Sequence, residues 1–266
     1  PSVIAKVRKF NFFFFFLHSL EPVLNDQLRV IRLYKPDVVL GDTSLTLKMA
    51  AEKTGTFYIS LMNAYMSKYY SFPRQISPTH PLFKYLKILP SILLNYLTRI
   101  GEEAAFKRLH KPFKKLRKRN HLLTLHSYPD ELEGDLTLLC DLPELFPQIE
   151  MPAQYHWVPP LFYDSQRGDR IAIKEKLDPA KKTILVTMGS TGDWQKMLFL
   201  NDEHYTRYNV IIAGDLAGVV KLYAIKADFI NMQEILPVCD LVICHGGNGS
   251  SYQALLHGGH LDVAPV

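Results

Sequence analysis

The chain has 266 residues, of which 47% are hydrophobic and 21% charged, and this composition is typical of a folded protein. It excludes a disordered chain, a collagen-like repeat and a small disulfide scaffold. Lys and Arg number 31 against 26 Asp and Glu, and the resulting net charge of +5 suits an anionic ligand but is too weak to indicate a nucleic-acid-binding protein.

The cysteines, Cys140, Cys239 and Cys244, form no CxxC pair. We therefore expect no disulfide framework and no metal site, and a cytoplasmic location is the default. The apolar run from Phe12 to Leu17 is far shorter than the roughly 20 residues that span a bilayer.

The first 60 residues alternate between helix and strand patterns. Ser19 is a predicted helix cap, Pro36 ends that helix, and 38–40 is predicted to be a fully buried strand. A second helix ends near Gly55, and 57–61 is the next buried strand. This alternation of helices with continuous apolar strands is typical of a parallel α/β sheet.

The next hundred residues are less regular. Prolines interrupt the chain up to Pro90, after which a long helix is predicted from Ser91 to about Arg119. Strands are predicted at 136–140 and 155–158, followed by a proline-rich connection. We therefore predict a first domain at 1–160, a linker at 161–178 and a second domain at 179–266.

The C-terminal part of the long helix, Lys107 to Arg119, is strongly basic. A solvated helix face is one interpretation. A second is an anionic membrane surface, because Phe106, Leu109, Phe113 and Leu116 are interleaved with the charges. Nucleic-acid binding is the least favoured, because no recognised motif accompanies the charges.

The second domain contains two buried strands that each run into small residues. Residues 183–188 lead into Gly189–Gly192, and residues 241–244 lead into His245 and a Gly/Ser-rich turn that opens a helix. Helix N-termini and glycine turns bind phosphate well, and in a parallel sheet both turns lie at the same edge. The alternative interpretation is that each turn is only a tight connection between a strand and a helix. Neither turn matches a Walker loop, GxGxxG or GxSxG.

The stretch from Asp240 to Leu255 resembles the donor-binding signature of the UDP-glycosyltransferase and macrolide-glycosyltransferase family. The segments 36–42, 184–192 and 229–233 resemble further parts of that family in the expected order. The resemblance implies a GT-B fold, in which two Rossmann-like α/β lobes with parallel sheets face a cleft. It implies transfer of a sugar from a nucleotide-diphosphate sugar, UDP-linked by preference, with inversion and with neither a metal nor a further cofactor.

The same resemblance assigns roles to individual residues. His245 donates to the donor diphosphate, Ile230 lies against the base through its backbone, Gln233 reaches the ribose, and Asp42 orients a catalytic His that lies outside this chain. Asp42 has an alternative interpretation as a helix N-cap, and Ile230 as a plain core residue. The remaining diphosphate-binding residues are Gly247, Asn248, Gly249, Ser250, Ser251, Ser190 and Thr191.

The chain also departs from the family pattern. No Gly-rich loop with a His precedes Asp42, Gly258 and Gly259 replace a proline turn, and no acidic residue followed by Gln comes after them. We therefore expect a sequence that is incomplete at both ends. The predicted function is transfer of a sugar to a hydroxyl of a lipid or small hydrophobic acceptor, by a protein that is cytoplasmic or peripheral to the inner face of the membrane. The alternatives are a nucleotide-sugar epimerase of the same fold and a non-catalytic nucleotide-sugar-binding protein.

Overall fold

The computed structural model describes residues 12–72, 83–86, 88–161, 173–189, 192–214, 223–258 and 260–263. The chain divides into two compact units, residues 1–159 and 160–266. Within the described ranges, no helix is both long and apolar enough to cross a membrane.

The first unit is built around a parallel four-stranded sheet in the order β1-β2-β3-β4, which confirms the predicted α/β class. Helices connect β1 with β2 and β2 with β3, whereas turns without a helix connect β3 with β4. The elements are α1 (Phe12–Tyr34), β1 (Val38–Asp42), α2 (Leu47–Thr54), β2 (Phe57–Met62), α3 (Phe83–Leu86), α4 (Ser91–Arg119), α5 (Tyr128–Leu132), β3 (Leu136–Cys140) and β4 (Tyr155–Val158).

Most of the predicted element boundaries agree with the structure. Helix α2 ends at Gly55, which adopts the left-handed conformation with φ of 66°, and the long helix spans 91–119 as predicted. Helix α1, however, begins at Phe12, so Ser19 lies inside the helix and does not cap it. Phenylalanine is only mildly unfavourable in helices, and the phenylalanine run therefore extends the helix towards the N-terminus.

Strand β1 is not fully buried, contrary to the prediction. Val38 and Leu40 are exposed, and burial along the strand is irregular. Among the described strands β1 pairs only with β2, so it lies at the edge of the sheet. An apolar run predicts a strand, but it does not reveal whether other elements cover both faces of that strand.

Helices α1 and α4 pack together through a core that includes Leu24, Leu28, Phe113 and Leu116. Phe113 and Leu116 therefore face the protein interior. The membrane hypothesis for Lys107–Arg119 required apolar side chains on the exposed face, and for these two residues that requirement fails.

A buried ionic cluster fixes helix α4 against its neighbours. The Arg117 side chain is fully buried, and its Nε donates to both carboxylate oxygens of Glu131 at 2.8 and 2.9 Å. Its terminal nitrogens donate to Glu52 at 2.6 and 3.1 Å. Burial alone would lower the pKa of Arg117, but the two carboxylates outweigh burial and raise it. His110 Nε2 lies 2.8 Å from Glu131, so α4 is tied to both α2 and α5.

The second unit contains a parallel five-stranded sheet in the order β7-β6-β5-β8-β9. Strands β5 and β6 are buried along their whole length, as expected for the centre of a parallel sheet. The elements are β5 (Thr183–Thr187), β6 (Asn209–Ala213), β7 (Ile225–Ala227), α6 (Met232–Ile235), β8 (Leu241–Cys244), α7 (Asn248–Leu256) and β9 (His260–Val263).

The helix predicted from about Trp194 is instead two short 3₁₀ helices, 194–201 and 203–207. The Asp193 side chain accepts a hydrogen bond from the Gln195 backbone, and the Asp202 side chain accepts one from the His204 backbone. Such local bonds favour a turn over a continuous helix, and Asp202 is the N-cap residue of the second 3₁₀ helix.

We predict that Arg117→Leu lowers the free energy of unfolding by about 3–5 kcal/mol, because it leaves the Glu131 carboxylate buried without its main cation. Urea denaturation followed by circular dichroism measures this change. The matched control is Arg119→Leu, which removes a solvent-exposed ion pair with Glu21 at 3.2 Å. That variant loses less than about 1 kcal/mol. Equal losses in the two variants would contradict the role assigned to the buried cluster.

Candidate functional site

The site lies where the order of strands in the second sheet reverses. Strand β5 is central, β6 and β7 lie on one side of it, and β8 and β9 lie on the other. Thr187 at the end of β5 is in register with Cys244 at the end of β8. The loops after these two neighbouring strands therefore start side by side, at the topological switch point where α/β sheets bind ligands.

His245 projects from the second loop and packs between two glycines. A Cβ atom at Gly189 would lie 2.8 Å from His245 Cε1, and one at Gly247 would lie 2.6 Å from Nε2. Both distances are too short for a real contact, so the imidazole occupies space that any side chain at either position would take. Gly189 and Gly247 come from different turns, and the two predicted phosphate-binding turns thus meet at His245.

The Nδ1 atom of His245 is buried and has no hydrogen-bond partner within the part of the chain that the structure describes. Buried polar atoms are nearly always hydrogen-bonded, so this nitrogen requires a partner that the described residues do not supply. With Nδ1 protonated, the ring donates one hydrogen bond to an acceptor such as a phosphate oxygen.

Helix α7 begins at Asn248, three residues after His245. Gly247 is its N-cap residue and provides no side chain to cap the backbone N–H groups of the first turn, which come from Asn248, Gly249 and Ser250.

The Ser251 hydroxyl lies 3.7 Å from Cys244 Sγ, which also accepts a hydrogen bond from the Gly246 backbone at 3.3 Å. The buried Cys244 thus ties the loop to the strand, and the helix N-terminus carries the partial positive charge that favours anions. Ser190 and Thr191, predicted to complete the site, lie outside the described residues.

The predicted base-binding segment adjoins helix α6. Ile230 is only 4% exposed and packs in the core, so only its backbone is available to a base. Phe229, which was not among the predicted site residues, is 53% exposed and presents an aromatic ring beside the segment. The signal in the sequence was the aromatic residue Phe229 directly before the predicted base-binding residue Ile230. Gln233 is half-buried, and its Oε1 lies 3.3 Å from His257 Nε2 at the end of α7.

Asp42 lies in the first unit, at the carboxyl end of β1. The N-cap of the following helix is Thr46, so the interpretation of Asp42 as a helix cap is wrong. Its exposed carboxylate accepts a hydrogen bond from the Thr43 hydroxyl at 3.1 Å. Burial raises the pKa of the Cys140 thiol, and the carboxylates of Asp42 and Asp141 raise that pKa further. Asp42 is therefore a charged group at the carboxyl edge of its sheet, and its proposed role remains a prediction.

We predict that Gly247→Ala destabilises the second unit by about 1–3 kcal/mol, because the added Cβ displaces the His245 ring. Most of this loss should disappear when Gly247→Ala is made together with His245→Ala, and thermal unfolding of the four proteins in this cycle measures the coupling. Gly249→Ala is the control, since a Cβ there meets nothing within 4 Å. A loss that is the same with and without the imidazole would contradict the packing.

Comparison with known proteins shows that the chain is similar to glycosyltransferases. No protein-family model matches the chain. A PGL/p-HBAD biosynthesis rhamnosyltransferase of Mycobacterium bovis (strain BCG / Pasteur 1173P2) is 26% identical over 254 residues, which cover 92% of this chain and 55% of the relative. An inactive PGL/p-HBAD biosynthesis glycosyltransferase of the same strain is 27% identical over 181 residues, or 67% of this chain and 48% of that protein. The chain thus spans about half the length of the curated relatives it matches.

Two solved structures show the same fold. The spinosyn rhamnosyltransferase SpnG aligns with a TM-score of 0.58 and 18% identity, covering 94% of this chain and 59% of its own. The glycosyltransferase VinC in complex with dTDP aligns with a TM-score of 0.57 and 16% identity, covering 91% and 57%. The resemblance drawn from the residues is thereby confirmed: the chain has the GT-B fold, with two Rossmann-like α/β units, and its relatives are glycosyltransferases.

Proposed function

We propose that the chain forms the donor site and part of the acceptor lobe of a glycosyltransferase that uses a nucleotide-diphosphate sugar. The observation that carries the proposal is the buried, unpartnered Nδ1 of His245 at the junction of two glycine turns and a helix N-terminus. A diphosphate offers acceptors to the imidazole and to the backbone N–H groups at once. The residues proposed to line it are Gly247, Asn248, Gly249, Ser250, Ser251, Ser190 and Thr191.

The proposed chemistry is direct displacement with inversion. The acceptor hydroxyl attacks the anomeric carbon, the bond from that carbon to the phosphate oxygen breaks, and the nucleoside diphosphate leaves with the bonding electrons. Negative charge grows on the diphosphate during this step, and a donated hydrogen bond from His245 together with the α7 N-terminus stabilises it. These groups could supply that stabilisation without a metal ion. Asp42 is proposed to orient the group that accepts the hydroxyl proton.

The base is proposed to lie against Phe229, with the backbone of Ile230 pairing with its edge and Gln233 contacting the ribose. The sequence resemblance favours a UDP-linked donor. A dTDP-linked donor is the specific rival, because the structural neighbour VinC was solved with dTDP. The acceptor is proposed to be a hydroxyl on a lipid or a small hydrophobic molecule.

Two other functions use the same site. An epimerase of this fold also binds a nucleotide-sugar, and a non-catalytic binding protein is a further candidate because one relative is named inactive. The intact protein, incubated with a radiolabelled nucleotide-sugar, separates the three. Sugar transferred to an extracted lipid or added acceptor supports the transferase, an isomerised donor supports the epimerase, and an unchanged donor supports the binding protein.

We predict that the protein binds UDP or dTDP more tightly than GDP, and that His245→Ala weakens the preferred nucleotide by about 10- to 100-fold. The expected factor corresponds to loss of a hydrogen bond to a charged group. Isothermal titration calorimetry measures the affinities. The control is His204→Ala, which changes an exposed histidine paired with Asp202 in a 3₁₀ turn that precedes β6. If no diphosphate binds, or both alanine variants bind alike, the diphosphate assignment is wrong.

We further predict that Phe229→Ala weakens nucleotide binding by about 5- to 100-fold, because stacking of a base on an aromatic ring contributes about 1–3 kcal/mol. Phe229→Tyr keeps a stacking surface and should bind nearly as the parent does. The same calorimetric titration distinguishes the two. Equal affinity of the alanine and tyrosine variants would show that the ring does not contact the base.

A further inference from the structure

The first three turns of helix α4 carry an apolar strip that no other described element covers. Ile92 is 84% exposed, Tyr96 62% and Ile100 47%, and Leu93 and Leu97 are exposed beside them. Ile88, just before the helix, is 81% exposed. Single exposed apolar residues are ordinary, but a contiguous group of this kind marks an interaction surface. We call the residues 88, 92, 93, 96, 97 and 100 the apolar strip.

The lysines of the same helix continue this strip. Residues in a helix advance by about 100° each, so positions seven apart lie within about 20° of one another. Lys107 comes seven residues after Ile100, and Lys114 follows seven residues later. Lys111 and Lys118 fall on the same side by the same arithmetic, and all four lysines are exposed. One face of α4 is therefore apolar for its first three turns and cationic for the turns that follow.

The other side of the helix fixes which way this face points. His110, Phe113 and Arg117 are buried and pack or pair with the rest of the unit. The strip and the lysines therefore cannot turn inward without exposing the buried ionic cluster. An acidic residue near the junction, Glu103, lies 3.5 Å from Arg99 and is partly neutralised by it.

We propose that this face of α4 docks on an anionic lipid bilayer. The apolar strip enters the region of the acyl chains, while Lys107, Lys111, Lys114 and Lys118 lie at the phosphates of the head groups. Such a surface needs both buried apolar area and attraction to anionic lipid, and α4 provides the two side by side. This differs from the prediction made from the sequence, which took its apolar residues from Phe106, Leu109, Phe113 and Leu116.

The charge pattern argues against a second copy of this chain as the occupant. Parallel pairing of two α4 helices would place lysines opposite lysines. Antiparallel pairing in full register would place the apolar strip of one helix opposite the lysines of the other. A staggered antiparallel pair would bury strip against strip, but it would leave the lysines of both helices without a counter-charge. An anionic, apolar surface satisfies both halves of the face at once.

The test is co-sedimentation of the full chain with vesicles of phosphatidylcholine alone or mixed equally with phosphatidylglycerol. We expect binding to the mixed vesicles that falls as salt is added.

The charge variant combines Lys111→Glu, Lys114→Glu and Lys118→Glu and should lose about 100-fold in affinity. The apolar variant combines Ile92→Ser, Tyr96→Ser and Ile100→Ser and should lose at least about tenfold. The control combines Lys174→Glu, Lys176→Glu and Lys181→Glu, which makes the same change in net charge elsewhere and should bind as the parent does.

Insertion is measured separately, by quenching of fluorescence with brominated lipids. A tryptophan introduced as Tyr96→Trp should be quenched, whereas one introduced as Tyr34→Trp, an exposed position on α1, should not.

Far-UV circular dichroism and nucleotide calorimetry on each variant show that the fold and the donor site are intact, so this proposal can fail while the proposed function stands. Absence of binding to mixed vesicles, equal losses in charge variant and control, or binding without quenching at position 96 would each overturn it. So would sedimentation velocity showing that the apolar strip joins two copies of the chain.

Discussion

Parallel strand pairing is the constraint on which the rest of this structure depends. Two parallel strands cannot be joined by a tight turn, so each pair requires a connection that crosses back over the sheet. This requirement places α2 between β1 and β2, and it places the long α4 in the connection between β2 and β3. It also brings the carboxyl ends of all strands of a sheet to the same edge, where loops that are distant in sequence become neighbours.

Each unit makes different use of this constraint. In the second unit, the ends of β5 and β8 bring two glycine turns together around one imidazole. In the first unit, the crossover is longer than the sheet needs, and α4 extends over 29 residues. Within the described residues, buried side chains anchor its C-terminal half, among them Phe113, Leu116 and the Arg117 cluster. The N-terminal half is therefore free to present side chains that contribute nothing to the core.

Patterns that depend on neighbours in sequence were predicted well. Continuous apolar runs located strands β1, β2, β3, β5 and β8, and Gly55 located a helix end. The signature around His245 predicted the meeting of the two turns, because strand-end loops in a parallel sheet have little freedom of position. The phosphate-site residues that were predicted and described do lie together on one loop and one helix start.

Patterns that depend on tertiary contacts were not predictable. Nothing in the sequence showed that β1 lies at the edge of the described sheet, that Phe113 and Leu116 face inward, or that Phe229 is exposed, and the sequence left open whether Ile230 is a core residue. The ionic cluster was equally hidden, because Glu52, Arg117 and Glu131 are far apart in sequence and each is an ordinary surface residue type. The 3₁₀ helices depended on side chains at Asp193 and Asp202 that bond to the backbone two residues later.

The packing of His245 between Gly189 and Gly247 has a consequence for how such a site can change over evolutionary time. While the histidine is present, both glycines are held invariant by the space the ring fills. If the histidine is lost first, Gly247 becomes free to acquire a side chain, whereas Gly189, with φ of 54°, stays strained for any other residue. Once Gly247 has acquired one, a returning histidine no longer fits. Loss of the imidazole is thus a step that later neutral substitutions make irreversible, and a lineage that drops it has no single-substitution route back.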